Sequence, residues 1–405
     1  MPHALSPPAS SSPPSTSALL VLVTGANGFI ASHTIHQLLE NGYRVLGTVR
    51  DESKAQSVLK THSALTPDLI KNLEVAIVSD ITAPDAYNDL FAEHKPSAVL
   101  HMASPFAYNT TEFEATLLRP AVRGTEAIFS AAAEVPSVRR IVHTNSFACI
   151  YDASLGLRPG YTYTARDWCP LTYEDGVRAS SPQIAYRASK AVAERSAWDA
   201  VGSQQNTVTG AGQACGYDLI SLCPAMVFGP YLPTLHSMPA SIEELNTSNK
   251  LIWDVVSAGK DGQVPPTRGP VWIDVRDVAE AHVRSISLDL TVHQNPRTGM
   301  SDGKRQRFLL AKGVYCSQEI ADVSRSALQV GSEGQDPHAP AHRSSYLERI
   351  PVGKPGAREA QSHFGVDASV EEKLLTGKQG GWRDLSETLS ELIPQLFQIE
   401  AHGTK

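Results

Sequence analysis

The sequence predicts an α/β protein with a doubly wound parallel sheet and a smaller C-terminal α/β cap. Three observations support this prediction. Short apolar runs alternate with stretches of helical periodicity, a glycine-rich turn follows the first run, and the alternation loosens after Phe228. The 405 residues, 41% hydrophobic and 19% charged, suffice for one large domain and a smaller partner.

Six apolar runs are the predicted strands: ALLVLV, YRVLGTV, LEVAIV, SAVLHMA, RRIVHTN and YDLISLC. Between them lie stretches with helical periodicity, such as IASHTIHQLLENG and TLLRPAVRGTEAIFSAAAE. Parallel strands need such crossovers, and the helices cover both faces of the sheet. We therefore expect residues 18–228 to form one dinucleotide-binding domain of the Rossmann type.

The remaining segments are assigned by composition. Residues 1–17 are rich in Ser and Pro, which predicts a disordered tail. Residues 229–405 should form mainly a substrate-binding cap, with a helix in WIDVRDVAEAHVRSISL and a strand in QRFLLA. We expect residues 271–290 to pack back on the first domain, and the polar stretches 202–216 and 331–345 to be surface loops.

Composition also limits the classes of binding partner and the cellular compartment that we expect. The formal net charge of −7 argues against nucleic acid or an anionic membrane as the main partner. We find no secretory signal, transit peptide or run long enough to span a membrane, which indicates a cytoplasmic protein. The five cysteines are scattered and lack a CxxC motif, which favours reduced thiols. His33 and His36 have no neighbouring ligand and should lie on a solvated helix surface, so we predict no metal.

The glycine-rich turn has the spacing of a dinucleotide site. Gly25, Gly28 and Ala31 follow a GxxGxxA pattern between a strand and a helix. Small residues there allow a tight turn, close approach to a pyrophosphate and packing of the helix on the strand. The helix N-terminus offers N–H groups and a favourable dipole to the phosphates. The alternative is a plain tight turn.

The end of the second strand indicates which dinucleotide binds. An acid there typically binds the ribose 2′-hydroxyl of NAD, whereas an arginine accommodates the 2′-phosphate of NADP. Arg50 and Asp51 supply both residue types. Lys54 would add a second cation, and this favours NADP. The alternative is a solvated charge cluster at a helix start.

Two further strand ends face the same edge. Asp80, after the third strand, could contact the adenine or could cap the next helix. The segment HMASPF closes the fourth strand, and its small residues would let the backbone lie along the cofactor.

Tyr186 and Lys190 lie four residues apart in the helix-forming run AYRASKAVAE. Residues at this spacing share a helix face. An adjacent ammonium favours the phenolate and lowers the tyrosine pKa from its usual value of about 10. The pair could therefore supply a proton, or it could be two polar side chains on a wet helix face.

The chain resembles the extended short-chain dehydrogenases/reductases, and most closely their dihydroflavonol reductase-like branch with its NADPH-dependent methylglyoxal and carbonyl reductases. The resemblance covers about residues 18–290 and rests on VTGANGFIA, TVRDESKA, HMASPF, PAVRGT, AYRASK and CPAMVFGP, which occur in the family order. It implies that Tyr186 is the catalytic acid, that Lys190 is its electrostatic partner and a ribose ligand, and that the Ser146 hydroxyl polarises the carbonyl.

The resemblance also implies a cofactor site. Arg50 and Lys54 match the 2′-phosphate clamp, and Pro224 matches the residue that flanks the nicotinamide. The candidate NADPH contacts are Gly25, Asn27, Gly28, Phe29, Ile30, Arg50, Lys54, Asp80, Ile81, Ala103, Ser104, Tyr186, Lys190, Pro224 and Val227. The chain departs from the family pattern at Asn145, where many members have serine, and in the longer loop 202–216.

The predicted function is NADPH-dependent reduction of an aldehyde or ketone. One alternative keeps the fold: a sugar-nucleotide epimerase or dehydratase, which usually retains NAD tightly, or a hydroxysteroid-type dehydrogenase. The other is a non-enzymatic dinucleotide sensor, a class that commonly lacks the tyrosine–lysine pair. The sequence leaves the carbonyl substrate and the oligomeric state open.

Overall fold

The computed structural model describes residues 19–104, 109–203, 216–234, 236–290, 303–330, 343–358 and 363–403. The predicted tail, most of the predicted loop 202–216 and residues 331–342 of the second predicted loop lie outside these ranges. Residues 343–345 of that loop begin a helix.

The described residues form these strands and α-helices in chain order: β1 (Leu20–Thr24), α1 (Phe29–Glu40), β2 (Arg44–Val49), α2 (Glu52–Thr61), α3 (Pro67–Ile70), β3 (Leu73–Ile77), α4 (Asn88–His94), β4 (Ala98–His101), α5 (Arg119–Ala133), β5 (Arg140–Thr144), β6 (Thr162–Tyr163), α6 (Tyr173–Val177), α7 (Pro182–Ser203), β7 (Asp218–Pro224), β8 (Met226–Phe228), α8 (Thr247–Val256), β9 (Val271–Asp274), α9 (Val275–Ser285), β10 (Arg305–Leu310), β11 (Gly313–Val314), α10 (Ser317–Val330), α11 (Arg343–Leu347), β12 (Gly365–Val366), α12 (Ser369–Leu375) and α13 (Leu385–Gly403).

The main sheet has seven parallel strands in the order β10-β7-β5-β4-β1-β2-β3. Alternate residues of β1 point to opposite faces. Val21 and Val23 pack with α1 and α9, whereas Leu20 and Leu22 pack with α5 and α7. Both faces are therefore covered by helices, and the predicted doubly wound parallel sheet is confirmed. The strand order reverses between β1 and β4, which is where such sheets bind ligands.

Strand β10 belongs to the main sheet and not to the cap, where it was predicted. QRFLLA was expected in the cap, but Arg305–Leu310 pairs in parallel with β7 and forms an edge of the main sheet. Five consecutive residues of this strand, 306–310, are buried, which fits a strand covered on both faces. The main sheet thus includes residues beyond the predicted boundary at residue 228. Helix α9, in the segment 271–290, packs against α1.

The C-terminal third builds a second hydrophobic core, which defines the cap. Helices α8, α10 and α13 pack together with the small sheet β11-β9-β8. The ring of Phe397 on α13 stacks on Tyr346 at a centroid distance of 4.1 Å and meets Trp253 of α8 edge-on at 5.6 Å. The predicted smaller α/β cap is therefore present.

The cap covers part of α1, which corrects the expectation for His33. His33 is 5% exposed, and its Nε2 lies 2.9 Å from the carbonyl oxygen of Pro230. His36, one turn away, stays partly exposed and lies 3.4 Å from a carboxylate oxygen of Glu40. The predicted solvated surface is wrong for His33 because a cap loop packs over it. Among the described helices, none has the length and apolar composition needed to cross a bilayer.

Candidate active site

The glycine turn joins the ends of two central strands. Gly25 follows β1 with φ = 67°, and a Cβ at this position would lie 3.0 Å from Cα of Ala103. The hydroxyl oxygen of Thr24 accepts hydrogen bonds from the backbone N–H groups of Met102 and Ala103, both at 3.0 Å. Gly28 is the N-cap of α1. The turn is therefore a backbone cradle that a side chain at Gly25 would fill.

A cleft of about 500 Å³ opens at this edge of the sheet. Ten of the predicted site residues line it: Gly25, Gly28, Phe29, Ile30, Ser104, Ser146, Tyr186, Lys190, Pro224 and Val227. The opposite wall comes from Met226 and from residues 245–248 of the cap. The cleft thus lies between the glycine turn, the three predicted catalytic residues and the cap.

The three predicted catalytic side chains are held by two elements. Ser146 follows β5 and caps a short 3-10 helix, where its Oγ accepts a hydrogen bond from Ala148 N at 3.1 Å. This leaves the hydroxyl hydrogen to be donated elsewhere. Tyr186 and Lys190 lie one turn apart on α7. Both side chains and the Ser146 hydroxyl therefore face one cleft.

The Lys190 ammonium is almost completely desolvated. The residue is 6% exposed, and Nζ donates to the carbonyl oxygen of Thr144 over a long 3.5 Å. Burial lowers the pKa of Lys190, although the nearby Cys149, Cys223 and Glu194 act in the opposite direction. A buried cation with one long hydrogen bond is prepared to interact with a polar ligand.

The predicted 2′-phosphate clamp lies outside the cleft, at the start of α2. Arg50 is largely exposed, and its Nε donates to Oδ2 of Asp51 at 3.3 Å. Asp51 is the N-cap of α2 and accepts from the backbone N–H of Lys54 at 2.9 Å. Asp51 is thus occupied by local contacts.

The other predicted cofactor contacts are more dispersed. Asp80 accepts from the backbone N–H and the hydroxyl of Thr82, at 2.8 and 2.7 Å, and these bonds lower the pKa of Asp80. The next helix begins only at Asn88, so Asp80 caps a local turn and not that helix. Ile81 packs near Gly124 of α5, and Asn27 lines an adjoining cavity of about 310 Å³.

A buried ion pair near Lys190 was not predicted from the sequence. Glu194 and Arg307 are fully buried, with Nε–Oε1 and Nη2–Oε2 distances of 2.7 and 2.8 Å. Two signals could have identified the pair: Glu194 lies four residues after Lys190, and Arg307 directly precedes the apolar residues 308–310 of a predicted strand. Across the described part of the chain, no group of three or more His, Cys, Asp or Glu side chains could hold a metal ion.

Known proteins share this architecture. The NADPH-dependent methylglyoxal reductase GRE2 of Saccharomyces cerevisiae is 29% identical over 387 residues, covering 94% of this chain and 98% of that protein. The ketoreductase azaE of Aspergillus niger is 33% identical over 383 residues, covering 93% and 97%. The crystal structure of yeast methylglyoxal/isovaleraldehyde reductase Gre2 complexed with NADPH superposes with a TM-score of 0.75 at 28% identity, covering 95% of this chain and 100% of that chain.

The family model of the NAD dependent epimerase/dehydratase family matches residues 21–294. This range contains the glycine turn, Ser146, the Tyr186–Lys190 pair, five strands of the main sheet and all but the first residue of β1. The chain therefore belongs to the NAD dependent epimerase/dehydratase family, the extended short-chain dehydrogenases/reductases that its motifs predict.

Proposed function

We propose that this chain is an NADPH-dependent reductase that converts an aldehyde or ketone into an alcohol. The observation that carries the proposal is that Ser146, Tyr186 and Lys190 line one cleft together with Gly25 and Gly28 of the nucleotide turn. The names of the relatives support it, because they describe an NADPH-dependent methylglyoxal reductase and a ketoreductase.

The chain offers a site for each part of NADPH. The N-terminus of α1 and the close Gly25–Ala103 approach suit the pyrophosphate. Arg50 and Lys54 supply two cations for the 2′-phosphate. Pro224 lines the cleft, where it would flank the nicotinamide. When bound, the cofactor supplies the hydride that reaches the carbonyl carbon.

The protein supplies the proton and stabilises the oxygen. The Ser146 hydroxyl donates a hydrogen bond to the carbonyl oxygen as negative charge develops there. Tyr186 donates its phenolic proton to that oxygen, which completes the alcohol and leaves a phenolate. The Lys190 ammonium stabilises the phenolate because the two residues lie one turn apart on α7 and the ammonium is buried.

The experiment follows NADPH oxidation with small aldehydes, diketones and aromatic ketones. Tyr186→Phe should lower turnover on the order of 100-fold or more, while NADPH binding, measured by fluorescence titration, persists. Tyr173→Phe is the matched control, since Tyr173 lies outside the cleft, on α6. Near-normal turnover in Tyr186→Phe contradicts the proton-donor role. Tightly retained NAD with turnover in the absence of NADPH favours the epimerase or dehydratase alternative.

A further inference from the structure

Asn145 carries an unpaired hydrogen-bond acceptor beside the proposed catalytic residues. Asn145 lies between Thr144 and Ser146, lines the cleft and is 4% exposed. Its Oδ1 is buried and has no hydrogen-bond partner within the described ranges. A buried carbonyl oxygen without a donor costs free energy, so its position needs a physical reason.

The orientation of the Asn145 amide is set by a directed chain of hydrogen bonds. Both carboxylate oxygens of Glu194 accept from Arg307, and Oε1 also accepts from the Ser221 hydroxyl. Since that hydroxyl donates its only hydrogen to Glu194, its oxygen accepts from Asn145 Nδ2, at 2.8 Å. Nδ2 also lies 3.4 Å from Nδ1 of His143. The amide nitrogen is therefore committed, and Oδ1 is left as the acceptor.

This chain has a rigid anchor. Arg307 is fully buried and also donates to the carbonyl oxygens of Ala165, Asp167 and Cys149. A guanidinium held by a carboxylate and three carbonyl groups has little freedom to rotate. The orientation of Asn145 is thus determined from the edge strand β10, across β7, to the end of β5.

Lys190 is the complementary group. Its ammonium carries three hydrogens but reaches only the Thr144 carbonyl, at 3.5 Å, among the described residues. That carbonyl group is bonded directly to the backbone nitrogen of Asn145. The residue that Lys190 contacts and the residue that carries the unpaired Oδ1 are therefore adjacent along the chain, and Lys190 and Asn145 line the same cleft.

We propose that Asn145 is a positioning residue for Lys190: in the enzyme with cofactor bound, Oδ1 accepts a hydrogen bond from the Lys190 ammonium, and Ser221 and Glu194 hold the amide in the required orientation. Catalytic hydrogen bonds that are long without ligand commonly tighten in the complex. The inference rests on the proposed function, because it gives Asn145 a role only if Lys190 serves Tyr186.

Several ionisable groups surround Lys190 and bear on its protonation. They are Tyr186 and Glu194 on α7, Cys149 on the 3-10 segment after Ser146, Cys223 on β7, His101 on β4, His143 on β5 and, through Glu194, Arg307 on β10. Burial lowers the pKa of His101 to about 3, and it lowers the pKa of His143 well below its usual value. Both imidazoles are therefore neutral in the neutral-to-alkaline range of the test.

The test is the alkaline limb of the pH profile of kcat/KM for carbonyl reduction. That limb reports the coupled loss of protons from Tyr186 and Lys190. Asn145→Ala removes the acceptor and should shift the limb to lower pH by about one unit. Asn145→Asp places a carboxylate there, favours the ammonium and should shift the limb to higher pH. Ser221→Ala keeps Oδ1 but frees the amide to flip, so it should shift the limb in the same direction as Asn145→Ala, by less.

A merely structural role would lower kcat without moving the limb. An unmoved limb in folded Asn145→Ala, or shifts of the same sign in the Ala and Asp variants, overturns the proposal. Thermal unfolding checks that each variant is folded. If Asn145→Asp does not fold, the limb of Asn145→Ala alone decides. Tyr186→Phe is measured in parallel: if that variant keeps its turnover, the proposed function itself fails, whereas an inactive Tyr186→Phe with an unmoved limb in Asn145→Ala refutes only the role of Asn145.

Discussion

The Lys190 ammonium lies 3.5 Å from the carbonyl oxygen of Thr144 and thereby links α7 to the last residue of β5. The hydroxyl of the same Thr144 lies 2.7 Å from His282 Nε2 on α9. His282 Nδ1 lies 2.8 Å from the Val278 carbonyl oxygen and must donate to it, so Nε2 accepts from Thr144. A helix from the second half of the chain thus fixes the carbonyl that Lys190 contacts.

Thr144→Val should therefore affect both stability and turnover. The valine keeps the shape but leaves the buried Nε2 of His282 without a donor, which should cost about 1–3 kcal/mol in the free energy of unfolding. Turnover should fall several-fold because the Thr144 carbonyl is held less firmly. Urea unfolding and steady-state kinetics measure the two effects. Thr125→Val, in α5, is the control and should leave turnover unchanged. Wild-type stability in Thr144→Val would show that the bond to His282 contributes nothing.

Gly25→Ala should weaken cofactor binding more than backbone strain alone can explain. Gly25 has φ = 67°, and an added Cβ meets Cα and N of Ala103 at 3.0 and 3.1 Å. Gly160 has φ = 81° with no atom within 4 Å of its Cβ position, so Gly160→Ala isolates the strain, about 1–2 kcal/mol. Fluorescence titration should show NADPH affinity at least about tenfold weaker for Gly25→Ala and unchanged for Gly160→Ala. Equal NADPH affinities in the two variants would argue against cofactor binding at the backbone cradle around Gly25.

Arg50→Ala with Lys54→Ala should change the cofactor preference. Two charge-assisted hydrogen bonds to a 2′-phosphate would be lost, each worth about 1.5–3 kcal/mol, whereas NADH has no such phosphate. KM for NADPH should rise by at least about 100-fold and KM for NADH should change little. Lys60→Ala, on the exposed side of α2, is the control. If the double variant prefers NADPH over NADH as strongly as the parent does, other residues bind the 2′-phosphate.

His62 should make the fold sensitive to acid. Its two ring nitrogens are buried and have no hydrogen-bond partner in the described part of the chain. Burial lowers the pKa of His62 from 6.5 to about 4, and His36 and His33 act in the same direction. As the pH falls, the unfolded chain therefore binds a proton on His62 before the folded chain does. Protonation of His62 thus leaves the free energy of unfolding unchanged above pH 6.5 and lowers it as the pH falls towards 4.

His62→Leu removes this liability. The free energy of unfolding of His62→Leu minus that of the parent should be larger at pH 5 than at pH 7, by roughly 2 kcal/mol. Urea unfolding at the two pH values measures the difference. The exposed His402→Leu is the control and should not produce it. A gain in His62→Leu that does not depend on pH would show that the ring is not protonated on unfolding.

The parts of the site that follow local sequence were predictable. Gly25, Ser146 and the Tyr186–Lys190 pair each lie at a strand end or on one helix turn, and the sheet edge brings them together. Long-range pairing was not predictable. The apolar residues 308–311 indicate a strand, but nothing in the sequence specifies β7 as its neighbour.

The same limit applies to the buried polar chain. Ser221 and Arg307 reach Glu194 only because β7 and β10 lie side by side. Their separations along the chain carry no periodicity that could reveal the contact. The residues whose contacts depend on tertiary packing were therefore not predicted, whereas those at local turns were.

The return of the chain to the main sheet at β10 has a practical consequence for preparing fragments. A polypeptide ending near residue 228 would lack this strand and leave the backbone N–H and C=O groups of β7 uncovered. An exposed edge strand of this kind pairs readily with the same strand of another copy. We expect that truncated product to self-associate, so deleting everything after residue 228 should not yield a monomeric fragment that carries the glycine turn.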